Sequence, residues 1–574
     1  MKLLSLLKEL SLHPKNAEEL KGLILQLATQ GKLTAKWRKN NSNIESASVL
    51  LKKIKAEKKE LIKSKKVKKS KPLDVISDAE KHFNIPETWI WERLGNIGNV
   101  FNGDSVNKAI KEAKYTGLNE GYPYIATKDV GYGFESINDR NGVKIPHDEP
   151  KFKIAHKGTV IICSEGGSAG KKMGMLLQDC CFGNKLYAIE QFGGIKSVYI
   201  LALYGSPSFK AAFQEKMSGI IGGISKSNFI DLLIPLPPVE EQKAIVEVVN
   251  TLFKEVEALE ELTKERISLK EDFVTSALRR LTETENTTQE RNYLQEHFPS
   301  FFTEKPNIKK LRETILQLAV QGKLTAKWRE ENPSLEDASE LLKRIEAEKQ
   351  QLIAEKKIKK EKPLSPIEDE DKPYDLPDGW VWCRIGNVTE YISSGSRDWA
   401  KYYSESGAKF VTMSNLSKTS LELRLNKMKY VNPPAGGEGT RTSLQEWDYL
   451  ISITGEVGNM GLIPGNFGEA YINQHTALVR FSSFQRNLYV GHYLLSPLAK
   501  GQFNEPQRGI KNSFRLSDIQ YMYFPLAPIK EQQAIVGKVN SLMALCDELE
   551  QQIDNSQNQI EQLMQSCLKE VFEA

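Results

Sequence analysis

The chain has 574 residues, a length that predicts several domains rather than one. Hydrophobic residues make up 40% of the chain and charged residues 27%, which is typical of soluble proteins with compact cores. No run of about 18 apolar residues occurs, and charged residues interrupt the N-terminal leucines, so we expect no membrane span, no signal peptide and a cytoplasmic location. The six cysteines form no C-x-x-C pair, which argues against a zinc ribbon or a disulfide framework.

The sequence contains a long internal repeat. Residues 24–38 read ILQLATQGKLTAKWR and residues 315–329 read ILQLAVQGKLTAKWR, which differ at a single position. The same spacing relates 46–73 to 337–364 and IPETWIWERLGNI (85–97) to LPDGWVWCRIGNV (376–388). Similarity then almost vanishes before it returns as PLPPVEEQKAIVEVVNTL and PLAPIKEQQAIVGKVNSL. A duplicated frame around two unlike inserts suggests one scaffold that presents two different binding surfaces.

The segments after each insert are predicted to be long amphipathic helices. Apolar residues recur at alternating spacings of four and three, the pattern of a coiled-coil seam. The seam residues in chain order are Ile245, Val249, Leu252, Val256, Leu259, Ile535, Val539, Leu542, Leu549, Ile553, Ile560 and Leu563. Cys546 and Cys567 fall on the second seam, where we interpret them as small apolar residues. In the first helix the pattern predicts a phase shift of three residues near Leu262, continuing through Leu269 and Phe273.

These helices need a partner for their apolar stripes, and the other copy is the obvious candidate. We therefore predict an antiparallel coiled coil with pseudo-two-fold symmetry, and an N-terminus close to the C-terminal helix. The inserts contain short β-rich runs, glycine-rich turns and some helical stretches, which favours compact α+β domains. The predicted domains are 1–84 (helical), 85–238 (first insert), 239–375 (long helix, connector and second helix), 376–528 (second insert) and 529–574 (C-terminal helix).

Catalytic signatures fail in this sequence. SEGGSAGKK (164–172) is similar to a phosphate-binding loop, but Glu165 stands where the first glycine is needed and Lys172 where serine or threonine is needed. Asn432-Pro433-Pro434 is followed by Ala435 rather than the aromatic residue of adenine methyltransferases. The seven histidines lack metal-ligand spacing. We therefore predict a binding protein without an active site, although a carboxylate–lysine nuclease core is not excluded by pattern alone.

The charge distribution favours nucleic acid as the partner. Residues 51–72 contain eleven lysines and two glutamates, whereas the second copy, 342–363, has eight basic and four acidic residues. A solvated helix face would explain the lysines, and so would neutralisation of DNA phosphates. Both interpretations remain open at this point.

Glycine-rich polar loops of the inserts have the composition used to read base edges. Arginine and lysine suit guanine, asparagine and glutamine suit adenine, and serine and threonine are versatile. Ordinary surface turns would have the same composition, so the set is a stronger prediction than any member. The candidate DNA-binding residues of the first insert are Tyr124, Thr127, Lys128, Ser164, Gly166, Ser168, Lys171, Lys172, Ser225, Lys226 and Ser227. Those of the second insert are Ser394, Ser396, Arg397, Ser414, Asn415, Thr454, Asn473, Gln474, Arg508, Lys511, Asn512 and Ser513.

The duplicated frame motifs, which bracket each variable insert twice, resemble those of the specificity (S) subunits of type I restriction–modification enzymes. The resemblance covers essentially the whole chain. It implies that the inserts are target recognition domains, that the helices form an antiparallel coiled coil, and that the chain reads a split, asymmetric target in double-stranded DNA. It also implies two methyltransferase (M) subunits that use S-adenosylmethionine and two ATP- and Mg-dependent restriction (R) subunits, with no cofactor on this chain. Trp89, Trp91, Trp380 and Trp382 of the repeated motif are expected to pack each domain onto its helix.

Two other functions fit parts of the sequence. The chain could be a self-contained methyltransferase or nuclease, which would bind S-adenosylmethionine or cut DNA by itself. It could also be a coiled-coil scaffold for proteins alone, which would bind no DNA even with M subunits present.

Overall fold

The computed structural model describes residues 16–573 apart from 70, 220–221, 285–287, 435, 438, 440–441 and 505–512. The chain forms two compact units, one containing the residues up to Ile267 together with those from Gln559, and the other containing Ser268–Asn558. Two helices of 45 residues each, Val239–Glu283 and Ile529–Glu573, contribute to both units. Each unit therefore holds the first part of one long helix and the end of the other.

The first unit begins with three helices and continues into mixed helices and strands. Its helices other than the long ones are Asn16–Thr29, Ala35–Asn40, Ala47–Lys63, Leu94–Ile97, Lys108–Ile110, Ser197–Gly205, Pro207–Glu215 and Lys226–Ile230. Its strands are Ile90–Arg93, Gly98–Asn102, Tyr122–Ile125, Lys144–Ile145, Ile154–Ala155, Val160–Cys163, Met173–Met175, Cys180–Phe182, Leu186–Gln191 and Leu233–Leu236. Helix Pro207–Glu215 starts where proline is best tolerated, at its first position, with the Ser206 hydroxyl accepting a hydrogen bond from the Phe209 amide.

The second unit repeats this order although the inserts share almost no sequence. Its helices other than the long ones are Thr288–Phe301, Lys305–Val320, Ala326–Glu331, Ala338–Ala354, Ile385–Val388, Leu488–Leu495, Pro497–Asn504 and Leu516–Tyr521. Its strands are Val381–Arg384, Thr389–Ser394, Tyr403–Ser404, Ala408–Val411, Lys429–Val431, Tyr449–Ser452, Met460–Leu462, Ala470–Ile472, Thr476–Phe481 and Tyr523–Leu526.

Each insert is built from the same three small sheets. A two-stranded antiparallel ribbon joins the beginning and the end of the insert, Ile90–Arg93 with Leu233–Leu236 in the first unit. A four-stranded antiparallel sheet follows, ordered in the first unit Gly98–Asn102, Leu186–Gln191, Val160–Cys163, Met173–Met175. The third sheet is mixed, because Tyr122–Ile125 pairs in parallel with Cys180–Phe182, as Ala408–Val411 does with Ala470–Ile472 in the second unit. The α+β assignment and the internal repeat are confirmed.

A buried carboxylate joins each insert to its long helix. Glu241, fully buried, accepts hydrogen bonds from the Thr34 hydroxyl (2.7 Å) and the Trp89 indole (2.8 Å), and it pairs with the Arg38 guanidinium. Three separate segments of the repeat, TAKWR, the tryptophan motif and the start of the helix, thus meet at one side chain. Because a buried charge is costly unless it is paired and hydrogen-bonded, this carboxylate fixes all three segments together.

Only one tryptophan of each pair contacts the helix in this way. Trp380 donates to Glu531 over 2.8 Å, as Trp89 does to Glu241. Trp91 packs instead against the ring of Phe83, and Trp382 donates to the Tyr374 carbonyl. The second tryptophan therefore holds the segment that leads into the insert.

Beyond Leu259, the buried stripe of the first long helix differs from the one predicted. Thr263 and Val274 are buried, whereas Leu262, Leu269 and Phe273 are each more than half exposed. The predicted three-residue shift near Leu262 is therefore wrong. Buried positions 256, 263 and 274 instead continue the original stripe with one extra residue between 259 and 267, which unwinds a helix stripe locally. Sequence favoured leucine and phenylalanine over threonine, yet the phase set by the flanking residues places Thr263 inside, its hydroxyl bonded to the Leu259 carbonyl.

The second long helix follows its predicted seam over most of its described length. Ile535, Val539 and Cys546 are almost fully buried and Ile553 is buried. Leu563 is half exposed, so its placement on the packed stripe is corrected. The remaining predicted seam residues are partly or fully buried, while the side chain of Cys567 lies outside the described residues.

Within the first unit, the end of the second long helix lies beside the start of the described chain. Ile560 packs on the core that contains Leu20, Ile24 and Val249. Burial, and then the negative charge of Glu561, raise the pKa of Glu19. The first described helix, Asn16–Thr29, thus lies beside the C-terminal helix, while residues 1–15, on which the prediction for the N-terminus itself falls, lie outside the described residues.

Candidate nucleic-acid interface

Three loops of the first insert that the sequence singled out lie together. The Ile224 amide donates to the Ser164 carbonyl over 2.9 Å, and the Gly166 amide donates to the Gly222 carbonyl over 2.8 Å. On the other side, the Lys172 ammonium lies 3.5 Å from the Thr127 carbonyl. Loops 126–129, 164–172 and 222–227, distant in sequence, therefore form one surface, called the first loop cluster here.

The second insert brings its loops together in the same manner. The Thr454 hydroxyl lies 2.6 Å from Nδ1 of His475. Thr454 also forms an isolated antiparallel bridge with Ser513, and Ser396 forms a parallel bridge with Asn473. A Cβ atom on Gly455 would lie 3.7 Å from Cε of Met413, which brings the turn 412–415 to the same place. These contacts define the second loop cluster, made of the described residues in 394–397, 412–415, 454–456, 473–475 and 513.

Both clusters are held by equivalent elements with unlike side chains. A turn of 3₁₀ helix follows the parallel strand in each insert, Thr127–Asp129 in the first and Met413–Asn415 in the second. In each turn a side-chain oxygen of the last residue accepts a hydrogen bond from the backbone amide three positions earlier. Asp129 accepts it from Ala126 and Asn415 accepts it from Thr412, both over 2.9 Å. The exposed residue of the turn is Lys128 in one insert and Ser414 in the other. One frame therefore presents different chemistry at the same place.

A glycine permits the close approach of strands beside each cluster. A Cβ atom on Gly103 would lie 1.8 Å from the Phe182 carbonyl oxygen, and one on Gly395 would lie 2.1 Å from that of Ile472. A larger residue at Gly103 would push the end of strand Gly98–Asn102 away from strand Cys180–Phe182. A larger residue at Gly395 would likewise separate the end of strand Thr389–Ser394 from strand Ala470–Ile472.

Most of the predicted contact residues that the structure describes reach solvent. The exposed ones are Lys128, Lys171, Ser225, Lys226, Ser227, Arg397 and Ser414. The half-buried ones are Thr127, Gly166, Ser168, Lys172, Ser394, Ser396, Thr454, Asn473, Gln474 and Ser513. Arg508, Lys511 and Asn512 lie outside the described residues.

Three predicted contact residues are buried and support the loops instead. The Tyr124 hydroxyl donates to the Asp104 carbonyl over 2.8 Å, and burial raises its pKa to about 12. Ser164 is 5% exposed, with its backbone engaged on both sides. Asn415 is 1% exposed, and its amide donates to the Arg424 carbonyl. Their assignment as base-contacting residues is corrected, because composition alone does not distinguish a loop's anchor from its exposed tip.

The structure adds Tyr132, which the sequence reasoning missed, and shows the contacts of His475 in the predicted loop 473–475. Tyr132, 59% exposed, lies under the Lys172 ammonium, 5.2 Å from its ring centroid, a cation–π geometry. The exposed His475 contacts Thr454 through one ring nitrogen and Gln474 through the other. An aromatic residue within the glycine-rich run GYGFE was the available signal for Tyr132, since aromatic rings in such loops can stack on bases.

Reactive chemistry finds little support among the described residues. They contain no group of three or more His, Cys, Asp or Glu side chains placed to hold a metal ion. Cys163, beside the first loop cluster, is buried, which raises the pKa of its thiol to about 11 and keeps it protonated at neutral pH. No helix in the described part of the chain combines the length and hydrophobicity needed to span a membrane.

Comparison with known proteins identifies the family. A family model described as the type I restriction modification DNA specificity domain matches twice, at residues 86–269 and 377–562. The chain is 30% identical over 549 residues to the specificity subunit of the type I restriction enzyme EcoAI of Escherichia coli, covering 93% of this chain and 90% of that one. The chain belongs to the type I restriction–modification specificity-subunit family.

One further relative agrees with this assignment, and one solved structure shows a weaker likeness. The specificity subunit of the type I restriction enzyme EcoEI, also from Escherichia coli, is 29% identical, with 94% of this chain and 91% of that chain covered. A chain in a solved structure concerned with complex assembly and conformational transition of the type I R-M system aligns with a TM-score of 0.44 and 17% identity. That alignment covers 86% of this chain and 99% of the solved chain. The two matched ranges of this specificity subunit are its DNA-recognition domains, and each contains one loop cluster.

Proposed function

We propose that each recognition domain reads one half of a bipartite, asymmetric target in double-stranded DNA. The observation that carries the proposal is the pair of loop clusters, which occupy equivalent positions on equivalent sheets yet differ in side chains. Equivalent frames place their readers alike, while the residue exposed at the equivalent turn is Lys128 in one cluster, which suits guanine, and Ser414 in the other, which is versatile. A duplicated reader with identical loops would instead recognise a symmetric site.

The long helices are proposed to set the unread spacer between the half-sites. Each has 45 residues, about 67 Å at about 1.5 Å per residue, and each contributes to both units. Insertion of one heptad into both helices should lengthen the spacer and leave both half-site sequences unchanged. An altered half-site sequence would contradict this role.

The repeated frame is proposed to dock two methyltransferase (M) subunits, and two restriction (R) subunits join that assembly. A surface duplicated within one chain offers the same residues twice, so a subunit that binds one copy finds the other. S-adenosylmethionine would be bound by the M subunits, which methylate adenine at N6, while ATP and Mg would serve cleavage by the R subunits. This chain would contribute recognition and no catalytic group. Native mass spectrometry of the purified assembly should show two M subunits per chain.

Base-resolution mapping of adenine methylation in the host genome tests the function as a whole. Deletion of the gene should abolish methylation at one bipartite asymmetric motif, and return of the gene should restore it. An unchanged methylation pattern in a host with active M subunits would refute the proposal.

A further inference from the structure

A lysine-rich segment follows helix Ala47–Lys63 and is held against the first unit. Val67 is half-buried and packs on the core of this unit, while its neighbours Lys66 and Lys68 are exposed. Lys65 takes a left-handed backbone conformation with φ of 58°, which ends the helix and redirects the chain. The apolar anchor faces the domain, so the ammonium groups face solvent.

The segment is fixed beside the short helix Lys226–Ile230. A Cβ atom on Gly95 would lie 2.7 Å from Cβ of Ile230 and 3.3 Å from Cδ1 of Leu73, so these two side chains meet at one glycine. The Arg93 guanidinium donates to the Asp74 carbonyl and to the Asp231 carbonyl, both over 2.9 Å. Arg93 is nearly fully buried, so it clamps the end of the lysine-rich segment to the end of the helix.

Lys226, the first residue of that helix, links the segment to the first loop cluster. It lies two residues after Ile224, whose amide is bonded to Ser164. Its pKa is lowered by partial burial and then by the positive charges of Lys153 and Lys68, whose ammonium groups therefore lie near that of Lys226. The Lys153 ammonium lies 3.7 Å from Oδ1 of Asp104 and donates a hydrogen bond to the Asn102 carbonyl over 2.8 Å. Ammonium groups held close together by the fold repel one another, so the binding of an anion between them is favourable.

We infer that Lys68, Lys153 and Lys226 form a phosphate-binding track for the DNA backbone, which extends the first loop cluster beyond the bases that it reads. The inference rests on the proposed function, because it places duplex DNA on that cluster. Lysine is a point charge that binds phosphate without base preference, so the track adds affinity and register rather than sequence choice.

Among its described residues, the second unit keeps only part of this track. Its copy of the segment retains the lysines, but Glu355 and Glu361 stand where the sequence of the first copy has Ser64 and Ser70. Glu355 pairs with Lys357 at 2.7 Å, and Glu361 accepts a hydrogen bond from Gln520 on the short helix there. That helix begins with Leu516 at the position of Lys226. The backbone contact is therefore asymmetric, stronger beside the half-site read by the first domain.

The salt dependence of DNA binding tests this inference. In the complete chain assembled with M subunits, the triple variant Lys68→Gln, Lys153→Gln, Lys226→Gln should bind target DNA about tenfold to a hundredfold more weakly at moderate salt. The slope of log affinity against log salt concentration should become shallower by about 2.7, since each phosphate contact contributes about 0.9. Replacement of the same residues by arginine should retain the wild-type slope, which separates loss of charge from loss of folding.

A matched control removes the same charge elsewhere in the first unit. Lys108→Gln, Lys111→Gln, Lys114→Gln should leave the slope within about one of the wild-type value, because these lysines lie outside the track. Equal losses in both triple variants would show a general charge effect and overturn the inference, as would a wild-type slope in the track variant.

Scrambled duplex measured alongside separates the two proposals. The salt slope on scrambled DNA reports phosphate contacts whether or not bases are read, so it tests the track. Equal affinity of the wild-type assembly for target and scrambled DNA would refute base reading and leave the track standing. Ethylation interference should place the lost contacts beside one half-site only, and loss beside both would refute the asymmetry.

Discussion

The Trp89 indole donates a hydrogen bond of 2.8 Å to the fully buried carboxylate of Glu241, 152 residues further along the chain. The bond joins the start of the first recognition domain to the helix that leaves it. The second unit repeats it with Trp380 and Glu531 at the same length. Since each carboxylate also holds a threonine and an arginine from a third segment, the orientation of a recognition domain on its helix depends on one side chain.

Replacement of Glu241 by glutamine should destabilise the first unit. Arg38 would lose its charged partner in a largely buried site, at a cost of about 3 kcal/mol in the free energy of unfolding. Hydrogen–deuterium exchange should rise in the first unit and stay unchanged in the second. Glu531→Gln should give the reverse pattern.

Glu240 provides the matched control. It precedes Glu241 on the same helix, is exposed and pairs with Lys243, so Glu240→Gln should change the free energy of unfolding by no more than about 0.5 kcal/mol. Equal effects of the two substitutions would show that the buried carboxylate has no special structural role.

The corrected stripe of the first long helix leads to a second prediction. Leu278 is 3% exposed and Leu269 is 53% exposed, although the predicted phase placed Leu269 on the seam. Leu278→Ala should cost about 3 kcal/mol of stability, and Leu269→Ala less than about 0.5 kcal/mol. Denaturant unfolding of both variants measures the difference. A larger loss at Leu269 would restore the predicted seam.

His492 should make the second unit sensitive to acid. Burial lowers its pKa to about 4, against an ordinary value of about 6.5, while a hydrogen bond with Asn540 partly opposes the shift. Above pH 6.5 the residue is neutral in both states. Below that value His492 binds a proton in the unfolded chain but not in the folded chain, so about 3 kcal/mol of stability is lost between pH 6.5 and pH 4.

The variant His492→Gln should remove this part of the acid sensitivity. Its stability should fall less steeply than that of the wild type over the same pH range, as measured by exchange in the second unit. The first unit has Ala202 at the equivalent position and should respond identically in both proteins. Parallel pH profiles in the second unit would contradict a buried neutral histidine.

The tips of the two loop clusters should affect different half-sites. Lys171→Ala should weaken discrimination at one half of the target by about 1–3 kcal/mol, and Arg397→Ala should do the same at the other half. Methylation rates on duplexes with single base changes measure the effect position by position. Substitutions that relaxed the same half-site would contradict separate readers.

The sequence predicted the repeat, the α+β inserts and the long helices because each depends on a periodic or duplicated pattern. It did not predict that Thr263 rather than Leu262 faces the core, since the phase of a long stripe is set by packing along its whole length and not by local hydrophobicity. Loop composition singled out loops that lie together in the structure, but it did not separate the buried residues within them from the exposed ones. Tyr124 and Asn415 have the side chains of readers, yet tertiary contacts to Asp104 and Arg424 turn them inward.

Exchange of one recognition domain tests the central claim most directly. Residues 377–526 would be replaced by the corresponding insert of another member of the family, with Glu531 and the frame retained, and adenine methylation would be mapped at base resolution in the host. The account predicts a new motif in which one half and the spacer length are unchanged while the other half is replaced. A motif changed in both halves would contradict the assignment of one half-site to each domain.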